Sequence, residues 1–322
     1  MIIVPFVSVL ILAILVTNCF SIATNGETAS AAVSGGNLQS YVDDYDDNNN
    51  NTSNKTRHAV TSESNLQSNY SLTDKFGIKK MYPTKPGGME WYIDMINPKS
   101  DGIFSITDNY NITKQTDGSW RIDSPLVRMN VITPPGAEPW KNIEITGYAK
   151  VISMSSPNIT TALDWSARGG RQNAAIPCEG TALHGGLHVD GSVGWKKEIW
   201  QHGGYTDERA KAKVTDPILG RWIGWKVVMY NINNDTAVKM ESYIDNKNTN
   251  YWVKVTDLVD EGGWFSNSPD NIFYSANCGK AKDYIIINGG PIATFRSDNL
   301  VWDFKKLSVR EIIPEEKIYN QP

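Results

Sequence analysis

Residues 142–151 read NIEITGYAKV. Ile143, Ile145, Gly147, Ala149 and Val151 fall on one face of an extended chain, and Glu144, Thr146, Tyr148 and Lys150 fall on the other. This period of two marks an antiparallel strand with one face against a core and the other toward solvent. Working outward, the same reading extends to EWYIDMI (90–96), WRIDS (120–124), VRMNVI (127–132), KKEIWQ (196–201), WIGWKVVMYNI (222–232), AVKMESYID (237–245), YWVKVTDL (251–258), DYIIINGG (283–290), ATFRSDN (293–299) and WDFKKLSVREI (302–312). Between them lie turn-forming clusters such as NPKSDG, TPPGAEP and DNKNTN. No long stretch carries a clean helical period. Many short strands with Gly, Asn and Pro connectors and no crossover helices predict an all-β sandwich of two antiparallel sheets.

The chain has 322 residues, 40% of them hydrophobic and 20% charged, with a formal net charge of -4. No basic excess exists to neutralise phosphates, which argues against nucleic acid as a partner. Eleven Trp and fourteen Tyr stand against eight Phe, a bias toward aromatics with a polar handle.

The first residues, MIIVPFVSVLILAILVTNCF, form an uncharged apolar run. Residues 1–31 are therefore expected to be a signal peptide, with Ala29 and Ala31 offering an A-x-A cleavage site, or a retained membrane anchor, since Ile2 to Ala23 is long enough to span a bilayer. Cys19 in LVTNC loosely resembles a lipoprotein site, but Asn18 is a poor residue before the Cys. Residues 32–73 hold an Asp run, four consecutive Asn and few large aliphatics, and are expected to form a disordered stalk. The folded domain is expected over 74–313, followed by a short tail, 314–322. N-x-S/T sequons at Asn50, Asn51, Asn54, Asn69, Asn111, Asn158 and Asn234 fit surface positions of an exported chain. So does a Cys178–Cys278 disulfide, worth roughly 3–5 kcal/mol by loop closure; two separate thiols are the alternative. The membrane enters only through the N-terminal segment.

The run GRWIGWKVVMYNINNDTAVKMESYIDNKNTNYWVKVTDLVDEGGW (220–264), with the closing GGPIATFRSDNLVWDFKKLSVREI (289–312), resembles the strands of concanavalin A-like jelly-roll domains, the fold of many lectins, glucanases and some polysaccharide lyases. With EWYIDMI and NIEITGYAKV included, the resemblance covers residues 80–313. It implies a concanavalin A-like jelly-roll β-sandwich whose curved sheet presents a groove to a saccharide. The final strand is then expected to return beside the first.

Reactive side chains concentrate between Asp164 and Tyr205, a window that holds three of the four His residues. In GWKKEIWQH, alternation puts Lys196, Glu198 and Trp200 on one face. The glycan-binding candidates are His184, His188, Lys196, Glu198, Trp200, His202 and Tyr205, in a surface of aromatic platforms and polar groups for a polysaccharide or cell-surface glycan. The alternative is a lyase of the alginate-lyase type. Carried over to this chain, the resemblance would make Arg168 or Arg171 the carboxylate neutraliser, Gln201 its partner, His202 the base and Tyr205 the acid. Gln201 and His202 are adjacent, however, so a regular strand sends them to opposite faces, and SARGGR reads as a bend. Glucanase-type carboxylate signatures are absent, and an adhesion module is a third reading. His184 and His188 are four apart across two glycines, with no third zinc ligand of matching spacing. No cofactor is required; Asp257, Asp260 and Glu261 are candidates for a structural calcium.

Overall fold

The computed structural model describes residues 71–99, 101–106, 111–155, 162–170, 175–201 and 204–314. The expected leader and nearly all of the expected stalk lie outside the described residues, as do Arg171, His202 and the tail beyond residue 314. Within the described residues the strands are β1 (Glu90–Tyr92), β2 (Phe104–Ile106), β3 (Asn111–Lys114), β4 (Trp120–Ile132), β5 (Ile143–Met154), β6 (Ala162–Gly169), β7 (Ala182–His188), β8 (Ser192–Glu198), β9 (Arg209–Lys213), β10 (Ile223–Ile232), β11 (Ala237–Asp245), β12 (Val253–Asp260) and β13 (Ile292–Glu311), with one short helix, α1 (Asp270–Phe273).

All the strand pairs are antiparallel, in the order β12-β11-β10-β5-β13-β6-β7-β8-β9. The long β13 is the spine. Along one edge its first part, Ile292–Ser297, pairs with β6, and its later part, Leu300–Glu311, pairs with β5. Its other edge carries β4 and then β1, so the final strand does return beside the first. The two layers of the sandwich are thus halves of one continuous hydrogen-bonded sheet folded over a core. The expected all-β, antiparallel jelly-roll sandwich is what forms.

The core lies between the β6–β8 layer and the β5, β10–β12 layer. Trp165, Trp195, Trp225, Val227, Phe295 and Trp302 are buried there with no exposed surface. At Gly185 a Cβ would overlap Val227 of the opposite layer, so only glycine permits the layers' close approach there. Trp195 donates from Nε1 to Thr256 Oγ1 at 2.9 Å, tying β8 to β12. Lys197 and Asp260, both fully buried, pair between the same strands at 2.9 Å.

The inner face of β5 is the one its alternation predicts, but its outer face is also buried. Glu144, Thr146 and Tyr148 lie beneath Ile78 and Tyr82 of the segment that precedes β1. The buried charge is compensated: Glu144 pairs with Lys226 and Arg310 at 2.8 Å each and accepts from the Met81 amide at 2.9 Å. Paired and hydrogen-bonded in this way, a buried carboxylate is tolerated. The stretch DYIIINGG forms no strand. Its Tyr284 and Ile286 carbonyls accept from the side chains of Lys197 and Arg168.

Candidate functional site

The outer face of the β4-β13-β6-β7-β8 layer carries a groove of about 640 Å³. Its floor follows from strand alternation and register. Val127, Met129 and Val131 of β4 enter the core, which leaves Arg128, Asn130 and Ile132 on the outside. On β13 the outward set is Thr294 and Arg296, opposite Asn130 and Arg128. On the next strand Ser166 and Asp164 face Thr294 and Arg296, and Ser166 in turn faces His184 of β7. Ala182 faces Glu198 of β8. Five adjacent strands thus deliver the groove's polar side chains at sheet spacing.

A buried charge network holds them. His184 sits between two carboxylates, its Nδ1 2.9 Å from Asp164 Oδ1 and its Nε2 3.6 Å from Glu198 Oε2. Burial alone would lower the His184 pKa, but the charge and hydrogen bond of Asp164, with Glu198 assisting, raise it above its ordinary value. Burial likewise works against the Asp164 charge, yet His184, Lys196 and Arg296 hold its carboxyl well below the usual range. Tyr205 donates to Glu198 Oε2 at 2.8 Å and accepts from Arg296 Nη1 at 3.3 Å, with its ring 5.8 Å from that of His184. Burial and the Glu198 charge push the Tyr205 hydroxyl up to about 12. Arg296 and Arg128 both reach Asp298, at 2.8 and 2.6 Å.

The candidates read from the sequence divide sharply. His184, Glu198 and Tyr205 come together, with Lys196 beside them at 3.9 Å from Asp164 and over the Tyr205 ring. His188 is on the same face of β7 but meets Glu208, Nε2 to Oε1 2.7 Å. Trp200 does not face the groove. The strand ends at Glu198, so alternation stops there, and Trp200 is buried edge-on against Phe273.

Arg168 is also displaced from the role the resemblance gave it. Its φ of +65° breaks the pleat, and its buried guanidinium donates to Lys141 O, Asn231 Oδ1 and Ile286 O. Burial lowers its pKa to about 9. It ties the loops at Lys141 and Ile286 to β10, and these acceptors take up its guanidinium. Gln201 lies in the turn after β8, packed against Gly180. Cys178 and Cys278 form the expected disulfide, which ties the segment before β7 to the segment after α1.

Of the calcium candidates, Asp260 is taken by Lys197, Asp257 pairs with Lys239 and Lys254, and Glu261 is exposed. Among the described residues no three His, Cys, Asp or Glu side chains converge as a metal site. Asn111 and Asn234 are exposed. Arg128, Asn130, Thr294 and Arg296 were not singled out from sequence. Their signal was the alternation in VRMNVI and ATFRSDN, which marks an outward face without saying what it faces.

No protein-family model matches the chain, and no curated protein sequence matches it. Solved structures similar to it include peanut lectin (7% identity, TM-score 0.38, covering 70% of this chain and 99% of the lectin). The metal-free carbohydrate recognition domain of Emp46p is similar at 10% identity and TM-score 0.41, over 70% of this chain and 97% of that one. An alginate lyase is similar at 10% identity and TM-score 0.36, over 70% and 98%. By its own strand order and layering, the chain has an all-β fold, an antiparallel sandwich made from one continuous sheet.

Proposed function

We propose that this chain binds polysaccharide in the groove across β4, β13, β6, β7 and β8. The observation that carries the reading is the groove itself, about 640 Å³ and lined by Arg128, Asn130, Ser166, His184, Thr294 and Arg296. Ion pairs and hydrogen bonds already hold most of these side chains, so little ordering entropy is lost on binding. Ile132, Ile292 and Ala182 supply apolar patches for the less polar faces of a sugar ring. Among the described residues Tyr205 is the aromatic whose ring meets that of His184, so recognition rests on hydrogen bonds more than on stacked rings. The binding reading invokes no cofactor. The apolar N-terminal run and the disulfide support placing the chain outside the cytoplasm, secreted or tethered.

Elimination from a uronate polymer is the second reading, favoured by the Tyr205 hydroxyl lying between Arg296 and Glu198 beside His184. In that reading Arg296 and Arg128 would meet the uronate carboxylate, and Tyr205 would return a proton. Binding is preferred because the groups that elimination would use are already engaged with one another: His184 with Asp164, Tyr205 with Glu198, and Arg296 and Arg128 with Asp298. The test is to incubate the full chain with uronate polymers and follow the ultraviolet absorbance of a new conjugated C=C bond. Binding alone predicts no rise. A rise that Tyr205→Phe abolishes would establish lyase chemistry instead.

A further inference from the structure

The groove is asymmetric. At the β4–β6 end it runs on into a second hollow of about 600 Å³, sharing Ile132, Gly170, Thr181 and Ile292 with the first and continuing past Gly289, Gly290 and Pro291. At the β8 end it stops. The sheet there could have continued it, because Gly186 and Gly194 are paired neighbours on β7 and β8 and leave a slot without side chains. Glu208, from the chain just before β9, fills that slot. Its Oε1 lies 2.5 Å from where a Cβ of Gly194 would stand and 3.8 Å from where one of Gly186 would stand. His188 holds the same oxygen at 2.7 Å, and Lys211 lies 3.5 Å from the other. Burial opposes the Glu208 charge, but the His188 hydrogen bond and charge outweigh it and keep the group a carboxylate. Tyr205, three residues before Glu208 in the chain, is fixed to Glu198 and Arg296.

We infer that Glu208 closes the groove at its β8 end, so that the site takes the terminus of a glycan chain and not an internal stretch. This rests on the polysaccharide-binding reading. A chain lying through the groove would have to pass over Gly186 and Gly194, and the Glu208 side chain occupies that path. At the opposite end the chain leaves through the second hollow, past Thr181, Ile176 and Pro291. Glu208 is therefore the residue that sets end-on binding, and the paired glycines are the space it needs.

The test counts bound copies of the full-length protein per glycan chain by titration calorimetry, using size-fractionated cello-, manno- and mannuronate oligosaccharides and the parent polymers. Wild type is expected to bind one copy per chain at every length. In Glu208→Ser the slot opens, and occupancy is expected to grow in proportion to chain length. Glu208→Gln, which keeps the side chain's bulk, should stay at one copy. Several wild-type copies on one long chain, or length-independent occupancy in Glu208→Ser, would overturn the inference while leaving glycan binding intact. Binding of no glycan by any of the three proteins would overturn both.

Discussion

Lys197 sits on the core face of β8, between Lys196 and Glu198 of the groove face, and its ammonium is fully buried. It pairs with Asp260 at 2.9 Å, donates to Tyr284 O at 2.9 Å and lies 5.2 Å from the centre of the Trp264 ring. Burial holds its pKa below the ordinary lysine value, with Asp260 offsetting only part of the penalty. Lys197→Met removes the cation and strands Asp260 as a buried, uncompensated carboxylate. Breaking a buried pair from one side costs about 3–5 kcal/mol. For a domain of this size each kcal/mol moves Tm by about 2–4 °C, so the expected fall is about 6–20 °C. Replacing both partners, Lys197→Met with Asp260→Leu, removes the desolvation penalty together with the attraction and should recover most of the loss. Calorimetry and urea denaturation of the full chain measure both. A single variant that loses less than about 1 kcal/mol, or a double variant no better than the single one, would refute the reasoning.

The Asp164–His184 pair makes stability depend on pH in a defined window. The raised His184 pKa contributes stability that is present below about pH 6.5 and lost as pH rises through its folded value. The depressed Asp164 pKa contributes above about pH 4 and is lost as pH falls through its folded value. His184→Gln should therefore cost more at about pH 5.5 than at about pH 9 in urea denaturation, and an equal cost would contradict the pair's assignment. Opening the Cys178–Cys278 disulfide, which closes a separation of 100 residues, should cost about 5 kcal/mol in the chain-entropy model. Cys178→Ser with Cys278→Ser, compared with wild type under oxidising conditions, checks this; an unchanged Tm would show that the loops it joins are held by other contacts.

The fold was legible in the sequence because period-two alternation in β5 and β10 is set by one local rule, which side of a pleat meets the core. What a local rule cannot show is what covers the far side. Glu144 and Tyr148 read as solvent-facing, yet the segment around Ile78 and Tyr82 buries them, and that contact spans more than sixty residues of chain. DYIIINGG has strand composition, but two buried cations take carbonyls that a partner strand would have used. In the site, His184, Glu198 and Tyr205 were within reach because they crowd one short window. Arg128 and Arg296 lie far apart in the chain and meet only through the register of β4 against β13. Arg168 was offered only by the resemblance; the bend that SARGGR suggested is there, and its left-handed backbone goes with a guanidinium held by buried acceptors. Trp200 failed because β8 ends two residues before it.

Affinity electrophoresis shows whether the groove holds a polysaccharide. The full chain and its Arg128→Ala, Arg296→Ala double variant would be run through gels containing neutral or uronate polysaccharides, with circular dichroism confirming that both are folded. Binding in the groove predicts that at least one polymer retards the wild type and that the folded double variant migrates as it does without polymer. Equal retardation of both proteins would place binding elsewhere on the molecule, and retardation of neither by any polymer would contradict the account.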